Sequence, residues 1–173
     1  MPQLQAHGLT VHPPGGWEGR IFRRPQYGQI ESAASGDAPG KPAPFGEQTF
    51  PVMHASTIAL PATVADYASD AVPDLGPNDA LIVLKEFAPA EATTPLFASS
   101  GLPRSLDPDA FNPDMLQRRL AGQAGVQRFF NEGGRAFCLY VVLGGYANRQ
   151  GVVPGVNKVL ASIQIGPSTL ANP

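Results

Sequence analysis

The side chains able to do chemistry are few and scattered. The histidines are His7, His12 and His54, and the one cysteine is Cys138. His7 and His12 stand five residues apart, which places them on opposite faces of a strand and misses the i, i+4 spacing of a helix, so the pattern does not gather metal ligands. For these two, solvated positions at a sheet edge are the expectation. Cys138 lies within Phe137-Cys138-Leu139-Tyr140-Val141-Val142-Leu143, an apolar run that predicts a buried, protonated and inert thiol rather than half of a cysteine-histidine pair. Asp107, Asp109, Asn112 and Asp114 have the oxygen ligands of a calcium loop. That loop needs glycine at its sixth position and a bidentate glutamate at its last, where Asn112 and Arg118 stand, and turns capped by carboxylates explain the segment better. Gly144-Gly145 reads as a strand-ending turn, because neither G-x-G-x-x-G nor a Walker pattern surrounds it.

Seven of the arginines fall in three groups: Arg20, Arg23 and Arg24; Arg118 and Arg119; Arg128 and Arg135. Planar guanidinium groups offer several donors at once, so Arg20, Arg24, Arg128 and Arg135, with Trp17 beside the first group, form a candidate rim for an anion or a protein partner. Arg128 and Arg135 flank a predicted hairpin turn and are candidate cross-strand neighbours. The competing reading makes these arginines solvated edge charges balanced by Glu18, Glu132 and the aspartates, and makes Trp17 a lid on the core. No cofactor pattern is present, and no nucleophile, base and orienting group can be nominated together.

The elements that must position these residues follow from composition and period. A chain of 173 residues can bury roughly two-thirds of the surface its unfolded form exposes. Charged residues make up 15%, against about a quarter in typical domains, so part of the surface must be neutral. The net charge of −2 draws in neither phosphate backbones nor anionic lipids, which disfavours nucleic acid as a partner. No apolar run is long enough to span a membrane, and the opening residues lack a secretory pattern, so the expectation is a cytoplasmic protein.

Residues 3 to 12 read as a short edge strand before Pro13-Pro14-Gly15-Gly16, residues 18 to 24 as a second strand, and Ser56 to Leu60 as a third. The composition of residues 26 to 51 predicts a mobile loop rich in Gly, Pro and Ala. Residues 80 to 87 and 135 to 143 are apolar on both phases, the pattern of central strands covered on both faces. Val126 to Phe130 and the second of these runs form a hairpin around Asn131-Glu132-Gly133-Gly134. Residues 153 to 163 carry Val152, Val156, Val159, Leu160 and Ile163 on one helical stripe, ended by Gly166-Pro167 and a loose tail. The stretches 63 to 69 and 113 to 120 are open between helix and other structure. The fold class is therefore α+β: an antiparallel sheet packed by a C-terminal amphipathic helix, extended to a three-layer α/β/α sandwich if those two stretches are helical.

Two strands want cover on both faces, and one clear helix exists to provide it. Either the chain's own loops and short helices hide the second face, or part of that face is an interface with a second copy or another protein. The early Pro14-Gly15-Gly16-Trp17, the antiparallel strands, the late apolar strand and the closing helix ending near Ile163 together resemble the PsbP-like fold superfamily, with an extra glycine in the signature. The resemblance implies a three-layer sandwich and a non-enzymatic accessory or binding role; no site residue carries over position by position. Two functional expectations result. The first is a non-enzymatic accessory or protein-interaction domain, possible as a component of a larger assembly or as a homo-oligomer. The second is a small-molecule binding domain with a pocket between sheet and loops lined by Trp17, Phe22, Phe129 and Tyr140.

Overall fold

The computed structural model describes residues 2–24, 49–62 and 65–170; the expected loop over residues 26–51 lies outside them except for its last three positions. Five strands build the main sheet: β3 (Glu18–Phe22), β4 (Val52–Ser56), β5 (Ala80–Phe87), β6 (Ala124–Glu132) and β7 (Arg135–Leu143), in the order β3-β4-β5-β7-β6. A smaller sheet joins β1 (Leu4–Ala6), β2 (Leu9–Val11) and β8 (Gln164–Ile165) in the order β1-β2-β8. Every pairing between these strands is antiparallel, and one α-helix, α1 (Arg149–Ser162), is present among the described residues. The α+β class with a sheet packed by a C-terminal helix is the architecture found.

The two strands apolar on both phases, β5 and β7, are neighbours in the interior of the sheet, and all nine residues of β7 are buried. On the first face Ile82, Leu84, Phe137, Leu139 and Val141 pack against Val156, Val159 and Leu160 of α1 and against Leu9 and Val11 of the small sheet. Each such aliphatic side chain contributes roughly 1.5–3 kcal/mol when fully withdrawn from water. The β6–β7 hairpin closes through Gly133 and Gly134, whose φ angles of 60° and 77° make the left-handed pair of a type I′ turn.

Local signals misplaced several elements. Residues 3 to 12 form a hairpin rather than one strand, because His7 (φ 53°) and Gly8 (φ 74°) turn the chain between β1 and β2. The strand expected at Ser56 to Leu60 lies earlier, at Val52–Ser56, since a wholly buried His54 occupies its middle. Residues 113 to 120 are not a helix: the Asn112 side chain accepts the Asp114 N–H, one 3-10 turn forms at Pro113–Met115, and the chain then runs on to place Leu116 and Leu120 against the sheet. Of residues 63 to 69, positions 63 and 64 lie outside the described residues, and 65 onward form turns leading to a 3-10 segment at Val72–Asp74. Helix α1 starts four residues before the expected point and carries Pro154 in its second turn, where the sacrificed bond faces water. It ends at Ser162, with Ile163 as its C-cap, as expected, and the chain returns as β8 to pair with β2.

The second face is covered by the molecule itself. Leu81, Val83, Cys138, Tyr140 and Val142 meet Leu60, Ala68, Ala71, Val72 and Leu75, with Leu116 and Leu120 alongside. Among the described residues this cover is irregular chain and 3-10 turns, not a layer of α-helices. No helix among them is long and apolar enough to cross a membrane.

One ion pair ties the ends of the chain to the sheet. Arg135, 3% exposed, donates from Nε and Nη2 to the two carboxylate oxygens of Glu86 at 2.8 and 2.6 Å, and from its remaining donors to the carbonyls of His7, Gly8 and Gly166. Gly8 has no room for a side chain, since a Cβ there would lie 2.3 Å from the Pro167 carbonyl oxygen. Removing one member of such a pair strands a buried charge, at about 3–5 kcal/mol, whereas replacing both with apolar residues is close to neutral. R135M is therefore expected to lose about 3–5 kcal/mol of unfolding free energy in urea titrations, and E86L/R135M to recover most of it; a double variant as unstable as the single one refutes this account.

Candidate functional site

The cover over the second face is held by polar stitches as well as apolar contact. The Leu60 N–H donates to Glu18 Oε2 at 2.8 Å, and Arg20 Nη1 donates to the Pro61 carbonyl at 2.8 Å. The Asp66 carboxylate pairs with Arg24 at 2.6 Å and Lys85 at 3.0 Å. The Lys85 ammonium also lies 5.1 Å from the centre of the Tyr67 ring and 5.2 Å from that of Phe87, so the cation is held by a carboxylate and two aromatic faces. Further along, Gln123 Nε2 donates to the Val72 carbonyl at 2.8 Å.

His54, for which the sequence suggested no role, belongs to this set. It sits wholly buried on β4, its Nε2 is 2.7 Å from the Asp66 carbonyl oxygen, and the Phe22 ring meets it edge-on at 5.1 Å. A carbonyl can only accept, so the neutral ring carries its proton on Nε2, while buried Nδ1 has no partner among the described residues. Burial lowers the His54 pKa, and the positive charge of Arg20 acts in the same direction; the Asp66 carbonyl and carboxylate oppose both.

Cys138 lies opposite Lys85 on one side and Phe129 on the other. Its thiol accepts from Gln127 Nε2 at 3.4 Å and faces the Tyr67 hydroxyl, and burial raises its pKa. Burial likewise pushes the Tyr67 phenol up to about 12. A thiol kept protonated beside a protonated phenol is a packing group, not a nucleophile. Tyr140 is raised too by its burial; its oxygen accepts the Gln117 N–H at 3.0 Å, and the Tyr67 ring stands edge-on to it at 5.8 Å.

Where the two covering loops meet, they leave a cleft of about 160 Å³. Asp70, Val72 and Pro73 of one segment and Gln117, Arg118 and Leu120 of the other line it, together with Tyr67 and Tyr140. Of the four aromatics expected around a pocket, Tyr140 alone borders this one. Phe22 and Phe129 lie elsewhere on the same face, and Trp17 lies on the opposite face.

The five residues proposed as a rim do not come together. Arg20 and Arg24 flank the β3 edge and are engaged with the cover, whereas Arg128 is on β6, the opposite edge, four strand spacings or roughly 19 Å away. Arg128 faces Leu139 and Arg135 faces Glu132, so the two arginines are not cross-strand neighbours, and Arg135 is sealed inside by Glu86. Trp17 is 7% exposed in the core, where a Cβ added at Gly155 of α1 would meet its ring at 3.7 Å. The carboxylate-rich turn is what its residues suggested: Asp107 and Asn112 accept N–H bonds from Asp109 and Asp114 at 2.8 and 2.9 Å, and Asp109 also pairs with Arg149. His7 and His12 join no group of three metal-binding side chains among the described residues. The cleft itself was not legible, because its walls come from segments 45 residues apart that carry no periodic pattern.

Comparison of the chain with protein-family models, curated proteins and solved structures finds no match.

Because the folded His54 binds its proton below the unfolded value near 6.5, the unfolded chain holds more protons as the solution is acidified. Stability is thus fully present above about pH 7 and falls as pH drops through about 6.5 toward the folded-state value. Urea midpoints measured across this range should show a decline that is absent in H54Q, whose amide can still donate to the Asp66 carbonyl; an equal decline in both proteins removes His54 from the explanation.

Proposed function

We propose that this chain is a non-enzymatic binding domain and that the cleft over Tyr140 is its ligand site. The observation that carries the reading is the division of the second-face cover into two loops that leave an aromatic-lined opening between them. Small-ligand sites combine apolar and aromatic walls with a few polar groups, and here Val72, Leu120 and the two tyrosines supply the first, Arg118, Asp70 and Gln117 the second. The non-enzymatic part is supported by the use to which reactive side chains are put. The thiol is buried and protonated, and the buried imidazole holds the cover. A single buried thiol suits a reducing compartment such as the cytoplasm.

A protein-interaction role has one observation of its own. Leu96 is 58% exposed beside Phe97, whose ring packs with half-buried Phe87 and Phe129 near the β6 edge that carries Arg128. This surface is the accessory-domain alternative, with another protein or a second copy as its partner; L96E is expected to dissociate such a complex in sedimentation experiments without unfolding the chain.

The cleft reading is tested by ligand-observed NMR with a set of single-ring compounds, against the native protein and L120W, in which the indole fills the opening. Binding to the native protein and its loss in a folded L120W are expected. Identical spectra with both proteins overturn the proposal.

A further inference from the structure

The cleft has a charge pattern that its size makes informative. Arg118 and Asp70 both line it, both are exposed, and neither has an ion-pair partner among the described residues, including each other. Neighbouring Arg119, by contrast, is paired with Asp114 at 3.1 Å. Exposed opposite charges gain little by pairing through water, so both groups stay available to a ligand in an opening that Tyr67 and Tyr140 also line. The Tyr140 oxygen already accepts the Gln117 N–H, and its own proton has no acceptor among the described residues, so it is left to donate. A volume of about 160 Å³ is close to that of a cavity that holds benzene, enough for one ring or a branched aliphatic group and little more.

We infer that the cleft takes a small zwitterion with an apolar side chain, an apolar α-amino acid in chemical class. Its carboxylate meets the Arg118 guanidinium, its ammonium group meets the Asp70 carboxylate, and its side chain lies between Val72, Leu120 and Tyr67. A planar guanidinium can hold a carboxylate through two parallel bonds, which gives Arg118 its preference for that end. The inference rests on the cleft being a ligand site and adds the class of ligand.

The experiment titrates the full chain with free L-phenylalanine, and in parallel with phenethylamine, which lacks the carboxylate, and 3-phenylpropionate, which lacks the amine. Chemical-shift changes of protein resonances report each Kd. The zwitterion is expected to bind about five- to tenfold more tightly than either analogue, the size of effect that one charged hydrogen bond at a half-open site gives. R118Q is expected to abolish its advantage over phenethylamine, and D70N its advantage over 3-phenylpropionate. Both positions are exposed, so these variants leave the fold intact. If all three compounds bind equally and lose binding in L120W, the zwitterion assignment fails while the cleft remains a ligand site. If none of the three perturbs the resonances of Tyr67 or Tyr140, the assignment fails, and the single-ring screen against L120W then decides the cleft reading on its own.

Discussion

The structure depends on a buried guanidinium meeting a buried carboxylate. Arg135 stands at the start of β7 and Glu86 near the end of β5, both facing the side of the sheet that α1 covers. Withdrawn from water, each would be costly alone; together they satisfy both carboxylate oxygens, and the spare donors of Arg135 reach carbonyls at both ends of the chain. The Phe137 ring lies 5.1 Å from the guanidinium carbon and seals that side. The N-terminal hairpin and the strand after α1 are thereby fixed to one another, which lets two short sheets enclose a common core. Gly8 is part of the constraint, since its backbone has to pass beside both the guanidinium and the Pro167 carbonyl.

On the opposite face the chain solves a different problem. A sheet with leucine, valine and tyrosine on its second side needs a cover, and the segments that supply it lack the repeat of apolar residues that would make them helices. They are fixed instead by point contacts: carbonyls of the loop are met by Arg20, His54 and Gln123, an N–H by Glu18, and a loop carboxylate by Arg24 and Lys85. A cover attached in this way need not be continuous, and the opening between its two parts is where the binding reading rests. Its attachment is also titratable, since one of the points is an imidazole out of contact with water.

The sheet was legible in the sequence wherever hydrophobic pattern alone determined it. The runs at 80 to 87 and 135 to 143 announced central strands, and Gly133-Gly134 announced the hairpin, because double-sided burial and a type I′ turn each constrain local residue types. β4 was misplaced because its central histidine looks polar in sequence and is made apolar in effect by one carbonyl and a Phe ring. Arg135 was read as a surface charge for the same reason: a charge at the end of an apolar strand is indistinguishable from a solvated one until its partner, 49 residues away, is known. In residues 113 to 120 the Asn112 cap supports only one 3-10 turn, and a continued helix was outweighed by the packing of half-buried Leu116 and Leu120 against the sheet from irregular chain.

The outer strand β6 is clamped near both ends: Asn131 exchanges backbone bonds with Ser99 and Gly101, and Gly125 with Asn112. Between these clamps Arg128 folds its guanidinium onto the Gln127 carbonyl at 3.0 Å. What is left as a template for an incoming strand is short, and it carries a positive charge. A nine-residue border that would otherwise offer a continuous ladder to a neighbouring chain is thereby broken at two points.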